Sequence, residues 1–381
     1  MAASSLPALR PLGVGELLDQ AIRLYRRNFL SFIGIIAVVQ IPIGLLQLAF
    51  SLLSAQSLSA VSSFNRAGPP RNPFTPAFFV GQFGTLIVAV ISFVLVQGVA
   101  TAAMTRAVAD NSLGTPTGFV GAYRRIGQSW LPLVGTLFLA GLFSLLLVVW
   151  FLVPCVGWAT GLGILAFFGV VIIPMIAPIV VLERKSGYRA MRRAWDLTRR
   201  RFWPVLGFVA LMFLFNLIVV SGPNLLISAI FQGLILGGAR AGGASGGLVT
   251  AQLIIESLVT LVFSLLYVPL QLIGFTLLYL DLRVRTEGLD LAMLAQDAAL
   301  PAPSGAMTSA AASPMPPAPQ LVAATPDAVL NIQAPQAEGG SLITGRELGY
   351  FFVLTLGFGA IYVLLIGGFT AVLALVASLA R

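Results

Sequence analysis

The sequence has 381 residues, of which 58% are hydrophobic and 9% charged, with a mean hydropathy of +0.97 and a net charge of +9. A soluble domain carries about 25% charged residues, so an ordinary soluble fold is excluded. Several apolar runs exceed the ~18 residues that cross a bilayer, and they are too long and uniform for the alternating strands of a membrane barrel.

The expected fold is therefore all-α: a polytopic helical membrane protein. The positive charge lies in short segments beside the apolar runs, where topology and anionic lipid account for it and no nucleic-acid-binding motif is present. Cys155 is the single cysteine, which excludes an intrachain disulfide, and there is no histidine. Basic residues are 21 Arg against one Lys, a bias expected of a GC-rich bacterial genome.

Taken in order, a short polar lead is followed from Val14 by an amphipathic pattern. Val14, Leu17, Leu18, Ala21, Ile22 and Tyr25 share one face, with Glu16, Asp19, Arg23 and Arg26 opposite. This predicts an interfacial helix running into a first span, Phe29–Leu53, too long for a signal-peptide core, so no cleavage is expected. Ser54–Pro76 reads as a polar loop broken by prolines. The second span is Phe78–Met104, the third Trp130–Val153 and the fourth Trp158–Leu182, with a kink expected at Pro174 and Pro178. The fifth, Phe202–Val220, is interrupted by Ser221-Gly222-Pro223-Asn224. Leu225–Leu236 is then either a re-entrant or interfacial piece or the continuation of a kinked helix. Gly237–Gly247 should be mobile, and the sixth span lies within Leu248–Leu280, interrupted at Pro269.

After a six-span membrane domain over residues 1–297, residues 298–343 are rich in Ala and Pro and read as a disordered linker. Thr344 and Glu347 make a capping-box pattern ahead of a C-terminal transmembrane helix over 344–381, a seventh span from Leu348 to Leu379.

The densest basic stretch separates the fourth and fifth spans. Arg184, Lys185, Arg189, Arg192, Arg193, Arg199, Arg200 and Arg201 all fall there. At 3.6 residues per turn Tyr188, Met191, Trp195, Thr198 and Phe202 share one face, and Arg189, Arg192, Arg193, Asp196 and Arg200 another. An interfacial helix is predicted, with its eight basic residues as candidate lipid-facing groups that reach phosphates or water and Asp196 pairing with Arg200. With the N-terminus inside, 18 of the 22 basic residues lie on the inner side, which predicts seven spans with the C-terminus outside.

Three related segments, AIRLYRRNFLSFIG from Ala21, AYRRIGQSWLPLVG from Ala122 and AWDLTRRRFWPVLG from Ala194, each open an odd-numbered span. They predict three helix-hairpin repeats, each with its own interfacial helix, and a seventh span outside the repeat.

The stretches RPLGVGELLDQAIRLYRRNFLSFIG, SGYRAMRRAWDLTRRRFWPVLG and LLYLDLRVRTEGLDL together resemble the glycerophosphoryl diester phosphodiesterase membrane domain family, over roughly residues 9–297. The family takes its name from proteins with a separate soluble catalytic domain that uses a histidine pair, carboxylates and a divalent metal. This sequence has no histidine, so the resemblance implies a membrane domain and does not carry that activity.

Without histidine, Ser-His-Asp, Cys-His and zinc-protease arrangements are absent, no phosphate loop or dinucleotide fingerprint is found, and Cys155 reads as a packed residue. No catalytic, metal or cofactor residues are predicted. Gly157 and Gly161 match a helix-packing spacing that 39 glycines would also produce by chance. Glu256 is the one carboxylate well inside an apolar run and is the candidate intramembrane polar group, with Asn216 and Asn224. It is either a proton or cation site or a group reaching water near the outer interface. The expected function is a non-enzymatic protein of the bacterial inner membrane, a scaffold or partner-binding factor whose basic cytoplasmic face meets anionic lipid headgroups. The alternative is a transporter built from helical hairpins.

Overall fold

The computed structural model describes residues 12–62, 76–112, 118–127, 129–153, 156–240, 246–288, 345–357, 359–360 and 363. Among these every regular element is helical. In chain order they are α1 (Val14–Arg27), α2 (Phe29–Ser62), α3 (Pro76–Ser92), α4 (Thr101–Ser112), α5 (Phe119–Ile126), α6 (Trp130–Phe151), α7 (Val156–Ala166), α8 (Ile173–Glu183), α9 (Gly187–Arg200), α10 (Phe202–Asn216), α11 (Gly222–Arg240) and α12 (Gly246–Glu287). A further helix, α13, covers residues 345–357. Among the described residues, six helical stretches are long and apolar enough to cross a membrane: Phe29–Leu53, Phe79–Ser112, Trp130–Phe151, Thr160–Glu183, Phe202–Ile235 and Gly247–Glu287.

The six spans fall where hydropathy predicts them, but their ends differ. Helix α2 continues through residues 54–62, which the composition suggested were loop. The second span runs on to Ser112. Among the described residues, three π-helical segments lie inside spans: Phe93–Ala100 joins α3 to α4, Phe167–Ile172 joins α7 to α8, and Leu217–Ser221 joins α10 to α11. The third of these resolves the interruption at Ser221-Gly222-Pro223-Asn224. The helix continues through it, so Leu225–Leu236 is the continuation of the fifth span rather than a re-entrant piece. Wider π turns lower the cost of Pro223 and Pro174 by shifting the backbone bonds that each ring would otherwise break. Pro42, Pro178 and Pro269 sit within helices that continue past them.

Thr344, Cys155 and most of Leu348–Leu379 lie outside the described residues, as do residues 241–245 and the linker.

The chain forms two compact units. The first holds Leu12–Val134 and Gly207–Tyr279. Its core gathers Phe32, Ile35 and Ile36 of α2, Met104 and the alanines of α4, and Phe208 of α10, all fully buried. Single tyrosines fasten its amphipathic helices. Tyr25 of α1 donates its hydroxyl to the Leu266 carbonyl at 3.0 Å, and Tyr123 of α5 donates to the Ile35 carbonyl at 2.6 Å. Burial pushes the Tyr25 pKa up to about 12 and raises that of Tyr123 as well, so both are neutral donors.

The second unit holds Gly135–Leu206 and the chain from Leu280 onward. Its core is Phe167, Val171, Ile172, Met175, Ile176 and Ile179 of the fourth span, against Ala190, Ala194 and Leu197 of α9. Gly157 sits where α7 turns back on α6: a Cβ there would stand 2.1 Å from the Trp150 carbonyl oxygen, and one on Gly161 would stand 3.3 Å from the Phe151 Cα. The Gly157–Gly161 spacing is therefore used for close helix approach.

Candidate functional site

Charge concentrates at one end of the second unit, around α9. This helix is amphipathic as predicted, but its buried stripe is Ala190, Ala194, Leu197 and Thr198. Tyr188, placed on the apolar face by its spacing, is 63% exposed. Small side chains let α9 close onto its neighbours, whereas the bulky Trp195 stays at the edge of that contact, its ring 4.9 Å from Phe167. The first N–H of α9, from Gly187, donates to the Thr136 hydroxyl at 2.8 Å, so a side chain from another helix caps it.

The eight basic residues of the stretch divide into two sets of four. The first set is paired. Arg193 donates its Nε to both oxygens of Glu183, at 3.1 and 3.0 Å, and its Nη2 pairs with Glu287. Lys185 reaches Glu183 at 3.0 Å. Arg283, whose side chain is 2% exposed, pairs with Glu287 at 3.1 Å and lies 4.0 Å from Glu183. Glu183 and Glu287 are themselves buried, at 6% and 8%. Burial would lower the pKa of Arg193, but the charges of Glu183 and Glu287 and its hydrogen bonds to them more than offset this and raise it. Arg192 and Arg199 hold Asp196 at 3.3 and 3.1 Å, and Arg199 also lies 3.9 Å from Glu347 of α13. The pairing of Asp196 with Arg200 is thus not formed. Arg199, drawn between Asp196 and Glu347, takes that place.

The second set, Arg184, Arg189, Arg200 and Arg201, is exposed and has no partner among the described residues. Arg184 holds a left-handed backbone (φ 53°) at the end of α8. The first unit has the same division. Asp110, fully buried, pairs with Arg106 at 3.2 Å and Arg125 at 3.0 Å, while Arg26, Arg27 and Arg124 are exposed and without partner among the described residues.

The intramembrane polar candidates lie elsewhere. Glu256, half-buried, accepts a hydrogen bond from Gln252 at 2.9 Å, one turn earlier in α12. Asn224 donates to the Val220 carbonyl at 2.9 Å, and its Oδ1 is buried without a partner among the described residues. Asn216 stands at the head of the π segment in the fifth span.

Sequence reasoning missed the carboxylates that organise the cluster: Glu183, Glu287, Glu347 and, in the first unit, Asp110. The signal for one of them, Glu287, was present in LDLRVRTEG, where Asp281 and Arg285, and Arg283 and Glu287, are four residues apart and each pair forms.

Residues 152–297 match the family model described as the membrane domain of glycerophosphoryl diester phosphodiesterase. The match bears out the resemblance over the fourth, fifth and sixth spans together with α9. No curated protein and no solved structure matches this chain.

Proposed function

We propose that this multi-pass membrane protein, carrying the membrane domain of that family, acts without catalysis as a scaffold whose basic face binds anionic lipid headgroups and a protein partner. The observation that carries the reading is the placing of its unpaired arginines. Arg26 and Arg27, Arg124, and Arg200 and Arg201 stand where an amphipathic helix gives way to a span, ahead of Phe29, Trp130 and Phe202. Cations in a last helical turn also suit the helix dipole. That role is met by one residue, however, and a guanidinium at the start of a span is within reach of phosphate. The N-terminus and α9 are then cytoplasmic in a bacterial inner membrane, as the basic bias implies.

The test is retention of anionic lipid. Purified protein in which Arg184, Arg189, Arg200 and Arg201 are all changed to Gln should carry several-fold less co-purifying phosphatidylglycerol, since each such residue is worth about 1 kcal/mol at a charged leaflet. Unchanged retention with normal folding would sink the lipid reading. For orientation, with Cys155 replaced by Ser, a cysteine introduced between residues 301 and 340 should resist an impermeant thiol reagent in intact cells.

A transporter is the second reading, favoured by the π segments in the second, fourth and fifth spans, since such turns recur at functional sites. Coupling would then need Glu256. On the scaffold reading Glu256→Gln is silent; loss of flux or growth at normal membrane levels would promote the transporter.

A further inference from the structure

Helix α13 is held to the second unit by a regular set of side chains. Glu347, Tyr350, Phe351 and Leu354 are buried at 4–7% exposure, while Leu348, Phe352, Val353 and Leu356 on the other face are 42–63% exposed. The buried positions follow i, i+3, i+4 and i+7, the spacing with which one helix lies in a groove of another surface. Three of the four have a partner of suitable chemistry. Glu347 meets Arg199, Tyr350 stacks on Phe202 with ring centres 4.0 Å apart and planes 14° off parallel, and Phe351 sets its ring edge to face against Phe167 at 5.4 Å. Trp203 and Trp195 close the sides, against Tyr350 and Phe351. The groove floor is Gly163, where an added Cβ would stand 2.1 Å from the Phe351 carbonyl oxygen. Only glycine admits the helix backbone that closely.

All of these groove residues lie within the stretch matched by the family model, and α13 lies outside it. From these contacts we propose that the surface formed by Gly163, Phe167, Trp195, Arg199 and Phe202 is a helix-recognition groove. It fits a single apolar helix with an acidic residue one turn ahead of an aromatic pair, and its occupant in this chain is residues 345–357. Side-chain recognition holds the occupant, and the covalent link through residues 289–344 is dispensable for it. A partner helix would need the same four-point pattern and would have to displace α13. This inference is independent of the lipid reading.

The experiment uses the full chain with a specific protease site placed between residues 301 and 340, one tag at each terminus, and cleavage in detergent. After cutting, capture by the N-terminal tag should retain the C-terminal piece. Tyr350→Ala with Phe351→Ala should lower the retained fraction by about tenfold or more, from the loss of two aromatic contacts. Gly163→Val should do the same from the groove side. Changing Leu348 and Phe352 to Ala on the opposite face should leave retention unchanged, which separates recognition from micelle partition. Release of the wild-type piece on cutting would overturn the proposal, as would equal retention of the Tyr350/Phe351 variant.

Discussion

The third and fourth spans are consecutive in the chain, both strongly apolar, and of similar length, yet they are buried to very different extents. In the most apolar eighteen-residue window of each, 67% of the fourth span is buried against 22% of the third. The third is rich in leucine, and Phe138, Leu142, Leu145 and Leu146 are all more than half exposed. The fourth is built from Gly, Ala, Ile, Val and Pro, with Phe167, Val171, Met175, Ile176 and Ile179 fully buried. In lipid, apolar character gives no reason to face inward, because the chains outside are as apolar as leucine. What separates the two spans is side-chain size and shape, which govern how closely helices approach, together with the charges at the end of the span.

The strongest way to break this contrast is at Glu183. Glu183→Ala would leave Arg193 and Arg283 short of a carboxylate in buried surroundings, at a cost of about 3–5 kcal/mol. Thermal unfolding in detergent or nanodiscs should show the loss, and a change below 1 kcal/mol would mean that packing alone holds the fourth span. Phe167→Ala comes next. It empties a fully buried site shared by Trp195, Phe202 and Phe351, and should cost about 3 kcal/mol or more by the same measurement.

A smaller effect is expected at a single hydrogen bond. Residues 247–266 of the sixth span include no buried position, and the Leu266 carbonyl at their end is tied to α1 by the Tyr25 hydroxyl. Tyr25→Phe should cost about 1 kcal/mol. Burial of the same hydroxyl gives a pH signature. The folded-state pKa of Tyr25, about 12, lies above the ordinary value of 10.0. Its stabilisation is therefore full below pH 10.0 and is lost as pH rises towards about 12. Tyr25→Phe should flatten that part of the alkaline unfolding profile. Last, Leu145→Ala on the lipid-exposed third span should change stability by under about 0.5 kcal/mol. A larger loss there would mean that a partner covers this face.

Much of the fold was legible because hydropathy over long windows is insensitive to local detail. The six spans, α1 and α9 follow from run length and from a 3.6-residue period. The sequence was less informative where two geometries share one composition. Ser221-Gly222-Pro223-Asn224 reads as a break, but a π turn absorbs it. Residues 54–62 read as a loop on polarity alone, although Ser and Gln are tolerated in a helix. The candidate site was only half legible. Eight cations in one stretch were conspicuous, but which of them are neutralised depends on carboxylates far away in sequence. Glu287 is 94 residues from Arg193 and Glu347 is 148 from Arg199. Pairing over such distances is a property of the folded chain, and no local pattern encodes it.

Helix α9 makes both of those long-range pairs. Arg193 fastens Glu287, and Arg199 fastens Glu347. The two arginines are six residues apart, or about 9 Å along a helix. The two glutamates, about sixty residues apart in the sequence, are therefore both fastened to one short helix. The entropy of closing the chain between two fixed points grows only with the logarithm of its length. Removing twenty residues from its middle would change that term by about 0.4 kcal/mol. Evolution is thus nearly free to lengthen or shorten this segment, provided that Glu287 and Glu347 keep their places.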